Sequence, residues 1–370
     1  MPPERRVVIW RSAMLSASET FIRNQGDALT RWRPTYAGAT RIESVLSRVD
    51  DLVAYPQPVD RGAFLRLRLT GSSPRLHRLL AAPRPDLVHA HFGGDGWLVS
   101  RTAAGLGVPL IVTVHGHDVT RQPATPGLHG LRYRRNLRTV FGRAATIVAV
   151  SQEIRDRAIR WGADPARVRV HHTGVPIPAP QPAGPKEWDV VFVGRFVEKK
   201  GADDLVAALA TLGPTRTLFI GDGPLLATIR AYAGELRVDA TFAGALPPDE
   251  VYRRLGTARV LAAPSRTARD GDTEGLPTTI VEAAALGLPV AATRHSGIPE
   301  AVTDGETGLL GPEGDRAALA ANLRRLLDDE ALRERLGKQA REHALAHFDI
   351  ATQTQRLEDI YDEAVAAASA

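Results

Sequence analysis

The sequence of 370 residues contains no cysteine, which excludes disulfide bonds, thiolate catalysis and zinc sites built on cysteine. It also has no run of about 18 uncharged apolar residues, the length that a membrane-spanning helix needs. The opening segment MPPERRVVIW lacks the apolar stretch and the cleavage site of a signal peptide, so we expect a cytoplasmic protein. The P-loop motif G-x-x-x-x-G-K-[ST], a first-unit G-x-G-x-x-G and the hydrolase motif G-x-S-x-G are also missing.

Acidic residues are scarce in one half of the chain. Residues 1–182 contain 26 basic and 13 acidic residues, whereas residues 183–370 contain 21 and 29. The strong preference for arginine over lysine, 43 to 4, does not explain this asymmetry. The cationic half is expected to attract an anionic partner, and composition alone leaves nucleic acid, an anionic membrane surface and a phosphorylated substrate open.

The length exceeds what one hydrophobic core usually supports, so two domains are expected. Short apolar runs rich in Val, Ile and Leu alternate with helical stretches, which is typical of doubly wound α/β domains with parallel sheets. These runs are RRVVIW, DLVHAHF, PLIVTVHG, TIVAVS and RVRVHHTGV, then WDVVFVGRF, RTLFIGDGP, ATFAGAL, RVLAAPS, PVAATRHSG and TGLLG. The proline-rich segment from Val175 to Pro185 predicts a linker, with the boundary near residue 180. Helical spacing marks residues 315–345, and a last helix is expected from about Ile350.

A strand followed by glycine and positive charge occurs in VVFVGRFVEKKG, residues 190–201. The chain leaves this strand at Gly194, which places Arg195 at the carboxyl edge of the sheet, where open α/β sheets bind ligands. Lys200 follows at the start of the next helix. Together the two side chains could clamp a diphosphate, and the alternative is a pair of solvated surface charges.

Two glutamates flank a tight loop and a helix start in EGLPTTIVE. Gly275 and Pro277 form the loop, and the backbone N–H groups of the helix that follows can hold phosphate oxygens. Glu274 lies in the loop and Glu282 about two turns further on. A carboxylate accepts two hydroxyl hydrogen bonds, which suits a sugar or a ribose diol. As bare spacing, the pair could equally be two glutamates on a solvated helix.

The motifs of the second half resemble those of family-4 retaining glycosyltransferases, and the resemblance covers most of residues 188–312. The shared elements occur in the same order as in that family. They are Gly-Arg followed by Lys-Gly, the GDGP turn at 221–224, EGLPTTIVEA at 274–283, PVAAT at 289–293, SGIPE at 296–300 and DGxxGL at 304–309.

The resemblance implies a GT-B architecture, in which two facing Rossmann-like doubly wound domains bind the donor in the cleft between them. Residues 1–180 would form the acceptor-side domain, residues 181–348 the donor domain, and residues 349–370 a helix packing back on the first. It implies that Arg195 and Lys200 bind the donor diphosphate, that Glu274 lies beside the donor sugar and that Glu282 binds the ribose. Further donor contacts are assigned to Gly221, Gly223, Gly275, Leu276, Pro277 and Thr278.

The first half resembles the family less strongly, through TVHGHD at residues 113–118. In that comparison His115 is the active-site histidine near the transferred sugar, with Asp118 on the acceptor side. Gly93 and Gly94, in HAHFGGDGW, would let a ligand approach the backbone closely. Many relatives have a Gly-Gly pair in the first strand-to-helix loop. This chain has SASETFI at residues 16–22, so hydroxyls such as that of Ser18 would replace the glycine contact.

Two tempting sites are rejected at this stage. Asp270 and Asp272 form an Asp-x-Asp pair, but a clamp of Arg195, Lys200 and helix-start N–H groups already neutralises a leaving diphosphate, so no metal is expected. The arginine clusters of the first half lack interleaved aromatic residues and a nucleic-acid-binding motif, so no nucleic acid is expected. An acceptor on a lipid diphosphate, or peripheral contact with the anionic inner face of the plasma membrane, uses the clusters better. Ordinary solvated helix faces remain the alternative.

The expected activity is therefore that of a retaining, metal-independent hexosyltransferase. It would move sugar from a nucleoside diphosphate donor, with UDP chosen on family frequency alone, to a carbohydrate or lipid-linked glycan. The variant motifs are similar to those of bacterial enzymes that build exopolysaccharide, such as the colanic acid type. Three alternatives remain open: tailoring of a small soluble acceptor, a non-catalytic nucleotide-sugar binding protein, and an epimerase or phosphorylase of the same architecture.

Overall fold

The computed structural model describes residues 5–56, 60–179 and 184–369. It divides into two compact units, one formed by Met1–Gly174 with Ile350–Ala370 and the other by Val175–Asp349. The boundary predicted near residue 180 lies outside the described residues. The chain segments next to it, residues 176–179 and 184–187, have no regular secondary structure.

The first unit contains a parallel sheet of seven strands in the described part, in the order β5-β3-β1-β6-β7-β8-β9. Strands β2 and β4 form a separate parallel pair. The bounds are β1 (Arg5–Trp10), β2 (Ala13–Met14), β3 (Trp32–Gly38), β4 (Thr40–Arg41), β5 (Leu52–Val53), β6 (Leu87–His91), β7 (Leu110–Val114), β8 (Thr146–Ala149) and β9 (Val168–Val170). All residues of β6 and β7 are buried, as expected for strands covered on both faces.

Strand β3 was not among the predicted strands, because its sequence WRPTYAG contains Pro34. Proline cannot donate to a sheet ladder and is normally confined to edges. Pro34 faces Val7 of β1, whereas β5 pairs only with Ala37 and Gly38. The strand is therefore an edge strand at the position of the proline, and the residue is tolerated there.

The helices of the first unit connect successive strands and carry recognisable end signals. Ser73 and Ser151 cap their helices by accepting the N–H of Leu76 and Ile154, and Gly107 ends another in the left-handed conformation, with φ 71°. The bounds are α1 (Thr20–Asp27), α2 (Arg61–Thr70), α3 (Pro74–Ala81), α4 (Gly93–Leu106), α5 (Arg121–Ala124), α6 (Gly127–Arg143) and α7 (Gln152–Arg160).

The second unit contains a parallel sheet of six strands in the described part, in the order β12-β11-β10-β13-β14-β15. Each predicted apolar run of the second half contains one of them. The bounds are β10 (Trp188–Val193), β11 (Thr217–Ile220), β12 (Ala240–Gly244), β13 (Ala258–Ala263), β14 (Val290–Thr293) and β15 (Gly308–Gly311). The prediction of α/β domains with doubly wound parallel sheets is confirmed.

Helices pack on both faces of the second sheet, and a single aspartate divides the segment predicted as helical over residues 315–345. Asp329 accepts the N–H of Leu332 and so begins a new helix immediately after the previous one ends. The bounds are α8 (Ala202–Leu209), α9 (Leu226–Glu235), α10 (Pro248–Gly256), α11 (Thr278–Ala285), α12 (Ile298–Ala301), α13 (Arg316–Asp328) and α14 (Glu330–His347).

The last helix, α15 (Ile350–Ser369), belongs to the first unit. The carboxylate of Glu358 is fully buried and accepts the backbone N–H groups of Thr30 and Arg31 at 2.7 and 2.6 Å. Tyr361 is also fully buried, and its hydroxyl lies 2.6 Å from Nδ1 of His89 on β6. Helix α15 is therefore a part of this unit's core. Among the described helices, none is long and apolar enough to cross a membrane.

Candidate active site

The first strand of the second unit delivers Lys200 to the carboxyl edge of its sheet. After β10 the chain passes Gly194 and forms one 3-10 turn, Glu198–Lys200. A Cβ atom on Gly194 would lie 3.3 Å from Cδ and Cε of Lys200, so the lysine side chain lies back across the glycine. Gly201 has φ 63°, and a Cβ there would lie 2.0 Å from the carbonyl oxygen of Pro264. The backbone path therefore requires a glycine directly after Lys200.

Glu274 is the partner of this lysine. Nζ of Lys200 lies 2.8 Å from Oε1 of Glu274, and Ser265 donates to the same oxygen at 3.1 Å. The glutamate is only 6% exposed. Burial disfavours its charged form, but Lys200, with help from Lys199 and His295, lowers the pKa of Glu274 to about 2. The structure thus holds a fixed carboxylate beside a fixed ammonium group.

The backbone of Glu274 is held by two residues that the sequence alone did not identify. Nε2 of His295 accepts the Glu274 N–H at 3.1 Å, and the Ser296 hydroxyl donates to the Glu274 carbonyl at 2.6 Å. Because Nε2 accepts, the proton of the neutral imidazole is on Nδ1, which donates to Glu313 at 2.7 Å. The signal was present in the sequence as the His-Ser pair before GIPE, but nothing local connected it to Glu274.

The loop after Glu274 leads directly into the free amino end of a helix. Gly275, Leu276 and Pro277 are buried, and α11 begins at Thr278 with no side-chain cap in the described structure. Its first N–H groups are therefore available to an anion, favoured by the helix dipole. Glu282, one turn into the helix, has its pKa raised to about 7 by burial, with Lys200 acting in the opposite direction.

The two glycines of the GDGP turn have a packing role in the structure. Gly221 has φ 134°, and a Cβ on it would lie 2.0 Å from the carbonyl oxygen of Gly194. Gly223 has φ 153°, and its Cβ would lie 2.7 Å from the backbone of Phe196. The turn therefore supports the loop that carries Arg195 through direct backbone contact. Arg195 itself is exposed, and within the described ranges it forms no ion pair.

The Asp-x-Asp pair next to Glu274 has partners within the protein. Oδ1 of Asp272 lies 3.2 Å from Nζ of Lys199, and Oδ1 of Asp270 accepts the backbone N–H of Asp272 at 3.1 Å. In the part of the chain that the structure describes, no group of three His, Asp or Glu residues could hold a metal ion.

In the first unit, His115 follows β7 and is enclosed by rings. Its Nε2 lies 3.0 Å from Nδ1 of His91, and its ring centre lies 4.9 Å from that of Phe21 and 4.6 Å from that of Phe92. Burial, followed by the neighbouring His89 and Arg11, lowers the pKa of His115 to about 3. His115 is therefore a neutral imidazole at physiological pH. Phe92 takes a positive φ of 72°, a strained conformation that places its ring on the histidine.

Asp118 connects the ends of β6 and β7, the corner of the first unit where His115 lies, through hydrogen bonds to backbone N–H groups. Its carboxylate accepts the N–H groups of Gly93, His115 and Gly116 at 2.8, 3.0 and 3.0 Å. Burial raises the pKa of Asp118, while these N–H donors act against the rise. The predicted acceptor-side residue thus joins the two strand ends by hydrogen bonds, and both of its oxygens are occupied.

A pocket of about 570 Å³ lies in the first unit beside this corner. Gly93, Gly94 and Asp118 line it, as do side chains from α2 and α6. Ser18 is exposed, hydrogen bonds with Ser16 at 3.1 Å and is not among the lining residues. The structure therefore brings three of the four predicted acceptor-side residues to one pocket.

Known sequences match both halves of the chain. Residues 20–177 match the profile of Glycosyltransferase Family 4, and residues 177–343 match that of Glycosyl transferases group 1. The chain is 32% identical over 262 residues to the amylovoran biosynthesis glycosyltransferase AmsK of Erwinia amylovora, covering 66% of this chain and 62% of AmsK. It is 32% identical over 315 residues to the D-inositol 3-phosphate glycosyltransferase of Corynebacterium efficiens, covering 76% of this chain and 72% of the relative. The chain thus spans less than two thirds of the length of AmsK.

Solved structures share the fold at low sequence identity. The crystal structure of Anabaena Alr3699/HepE in complex with UDP and glucose superposes with a TM-score of 0.79 at 18% identity, over 97% of this chain and all of that chain. Identity this low shows the fold alone, and the expected GT-B class with two Rossmann-like domains is confirmed. With both halves matched and the motifs in order, the chain belongs to glycosyltransferase family 4.

Proposed function

We propose that this protein transfers a hexose from a nucleoside diphosphate sugar to a hydroxyl of a glycan acceptor, with retention of the anomeric configuration, in cell-surface polysaccharide synthesis. The observation that carries the proposal is the Lys200–Glu274 pair, fixed at 2.8 Å next to the uncapped start of α11. A cation, a row of N–H donors and a carboxylate are the groups needed for a diphosphate attached to a sugar.

The donor is assigned to these groups by chemistry. Lys200, Arg195 and the N–H groups from Gly275 to Thr278 bind the diphosphate, and Glu282 accepts hydrogen bonds from the ribose hydroxyls. Glu274 accepts from the hydroxyls of the sugar, since its carboxylate stays ionised. We take the base as uracil, supported by the complex of Alr3699/HepE with UDP and glucose, a protein of the same fold.

In the reaction, the bond between C1 of the sugar and the diphosphate oxygen breaks while the acceptor oxygen bonds to C1 on the same face. The acceptor proton passes to the departing diphosphate, so charge and atoms balance. Lys200 and Arg195 stabilise the negative charge that develops on the leaving group, a role whose loss typically costs a factor of about 100 to 1,000 in rate. His115, neutral and enclosed by rings, contacts a sugar hydroxyl near the reaction centre.

We further propose that the clamp of cations and helix N–H groups makes a metal ion unnecessary. The acceptor is a glycan that is free or linked to lipid, and the arginine-rich first half contacts an anionic membrane at its cytoplasmic face. Support for a polysaccharide pathway comes from the relative AmsK, which is described as an enzyme of amylovoran biosynthesis.

The first experiment is thermal unfolding with UDP, GDP, ADP and dTDP in turn, each with and without EDTA. A nucleotide at 100 times its dissociation constant stabilises the protein by about 2.7 kcal/mol. We expect UDP to stabilise selectively and EDTA to have no effect. Stabilisation by another nucleotide would show that the donor carries a different base. Loss of the stabilisation in EDTA would contradict metal-independent binding of the diphosphate. No response to any nucleotide would contradict the proposed donor site.

Transfer activity is tested separately with Lys200→Ala and the matched variant Lys338→Ala. Lys338 is an exposed lysine of α14 outside the candidate site. Release of UDP and appearance of glycosylated product should fall by about 100-fold or more in Lys200→Ala and stay unchanged in Lys338→Ala. Formation of isomerised donor or of free sugar phosphate without an acceptor would instead indicate an epimerase or a phosphorylase with the same fold.

A further inference from the structure

We propose that His91 is a positioning residue that fixes the proton of the His115 imidazole on Nδ1, so that His115 presents an N–H donor to the substrate. The inference rests on the proposed glycosyltransferase function and concerns the group that the first unit offers to the transferred sugar. It names the atom of His115 that makes the contact, the role of that atom as a donor, and the residue that determines both.

The two histidines follow one another across neighbouring strands of the first sheet. His91 is the last residue of β6, and His115 comes directly after β7. Nδ1 of His91 lies 3.0 Å from Nε2 of His115, and the two ring planes are inclined by 24°. A neutral imidazole has one N–H donor and one acceptor nitrogen, so the hydrogen bond at Nε2 determines what Nδ1 can do.

Burial determines which of the two rings donates. His91 is only 1% exposed, and within the described residues its Nε2 has no hydrogen-bond partner. A proton on that atom would leave an unpaired N–H group with almost no contact with solvent, an arrangement that folded proteins avoid. The proton of His91 therefore lies on Nδ1, from which it is donated to Nε2 of His115.

Nδ1 of His115 is then the atom that is left for the substrate. His115 is half-buried, and in the part of the chain that the structure describes its Nδ1 has no hydrogen-bond partner. The carboxylate of Asp118 accepts the backbone N–H of His115 at 3.0 Å, not the proton of the ring. Because His91 occupies the acceptor nitrogen, the ring can donate to a hydroxyl oxygen of the sugar but cannot remove a proton from the acceptor.

Aromatic rings hold the imidazole in this orientation. Phe21 and Phe92 lie against it, with ring centres 4.9 and 4.6 Å away. Phe92 in turn lies under the guanidinium group of Arg11, which is 4.6 Å from its ring centre. An imidazole turned over about its Cβ–Cγ bond would place Cε1 instead of Nε2 opposite His91. The hydrogen bond therefore selects the ring orientation as well as the tautomer.

A third buried imidazole contacts the pair without bonding to it. The ring centre of His89 lies 4.4 Å from that of His91, but both nitrogens of His89 face hydroxyls, those of Tyr361 and Thr113, at 2.6 Å each. Burial lowers the pKa of both members of the pair, and the charge of Arg11 acts in the same direction. Each ring therefore carries one proton, and His89 is a matched control for packing without positioning.

Nitrogen NMR spectroscopy of the full chain, with its 11 histidines isotopically labelled, distinguishes the tautomers directly. Protonated and unprotonated ring nitrogens differ in chemical shift and in their coupling to the ring protons. The signals of His115 are assigned by their loss in His115→Gln. We expect a protonated Nδ1 and an unprotonated Nε2 at neutral pH without substrate. A protonated Nε2, or a mixture of the two tautomers, would overturn the proposal.

Two substitutions of His91 separate positioning from packing. His91→Phe keeps a ring but has no donor, so His115 should populate both tautomers and kcat should fall roughly tenfold, as the loss of one hydrogen bond allows. His91→Asn has an amide N–H close to the backbone and should recover the Nδ1 tautomer and most of the rate. His89→Gln should leave the tautomer of His115 unchanged. Wild-type kcat in His91→Phe would contradict the proposal, and a loss that His91→Asn shares in full would make the role of His91 only structural.

Stabilisation by UDP keeps this result separate from the proposed function. UDP should stabilise His91→Phe as it does the wild type, because the substitution leaves the second unit unchanged. A proton on Nδ1 of His115 without a response to any nucleotide would contradict the proposed function and leave the role of His91. Transfer of sugar by a protein with the proton on Nε2 would do the opposite.

Discussion

Nζ of Lys200 lies 2.8 Å from Oε1 of Glu274, and both side chains are largely buried. In the absence of donor, each charge is the main partner of the other. Under the proposed function, a diphosphate that enters would take over the ammonium group, and Glu274 would keep the hydroxyl of Ser265 and gain the hydroxyls of the sugar. The ion pair therefore lets two charged groups remain in a protein interior, each compensated by the other.

Breaking this pair from one side should destabilise the second unit. Lys200→Ala leaves the buried carboxylate of Glu274 without its cation, which typically costs about 3–5 kcal/mol. Glu274→Gln combined with Lys200→Met, which removes both charges, should lose much less. Urea unfolding of both variants beside Lys338→Ala measures the difference, and equal stability of the single and double variants would contradict it.

The pH dependence of donor affinity should report Glu282. Burial raises its pKa to about 7, so it is half protonated near neutrality. In the proposed ribose contact, only the ionised carboxylate can accept from both hydroxyls. Affinity for UDP-glucose should therefore rise as the pH increases from 6 to 8, by up to roughly tenfold. Calorimetric titration should show the rise in the wild type and in Glu235→Gln, an exposed control, but not in Glu282→Gln. A rise that persists in Glu282→Gln assigns it to another group.

Glu313 should act on catalysis through His295. Its carboxylate accepts the Nδ1 proton at 2.7 Å and so keeps Nε2 available to the Glu274 N–H. Glu313→Leu removes the acceptor, and we expect kcat to fall by about 10- to 100-fold, as is typical when the partner that orients a metal-binding histidine is removed. Glu313→Gln retains an oxygen acceptor and should recover most of the rate. If both variants lose the same activity with equal loss of thermal stability, the role is only structural.

The GDGP turn should not tolerate a methyl group. In Gly221→Ala the new Cβ would lie 2.0 Å from the carbonyl oxygen of Gly194, and φ is 134°. We therefore expect the free energy of unfolding to fall by about 1–3 kcal/mol or more. Gly256→Ala is the control, because a Cβ there meets nothing within 4 Å and φ is ordinary. That variant should be neutral or slightly more stable. Denaturant midpoints compare the two, and similar values would argue against the close backbone contact.

Buried imidazoles should make the first unit sensitive to acid. His89 has its pKa lowered to about 3 by burial and by His171, against about 6.5 in an unfolded chain. The unfolded state therefore binds protons first, and the stability present above pH 6.5 is lost as the pH falls toward 3. His89→Gln should flatten the slope of unfolding free energy between pH 7 and pH 4.5, whereas the exposed His129→Ala should not. An unchanged slope in His89→Gln would rule out this contribution.

The fold was largely accessible from the sequence, because buried parallel strands appear as short apolar runs. Strand β3 was missed because Pro34 breaks that pattern, and only the pairing of its neighbour shows why it is tolerated. In the candidate site, the motifs singled out Lys200 and Glu274, and the structure places their side chains 2.8 Å apart. His295 and Glu313 were not, because His295 contacts Glu274 across 21 positions and Glu313 contacts His295 across 18, and no local periodicity encodes such contacts.

Because helix α15 belongs to the first unit, that unit consists of two chain segments and the second unit of one. The second unit is one uninterrupted segment, Val175–Asp349. The first is assembled from two segments, because α15 supplies the buried Glu358 and Tyr361. A fragment that stops at Gly174 would expose the groups that these residues satisfy. During synthesis on the ribosome, the first unit is therefore begun before the second unit but is completed after it, when α15 emerges.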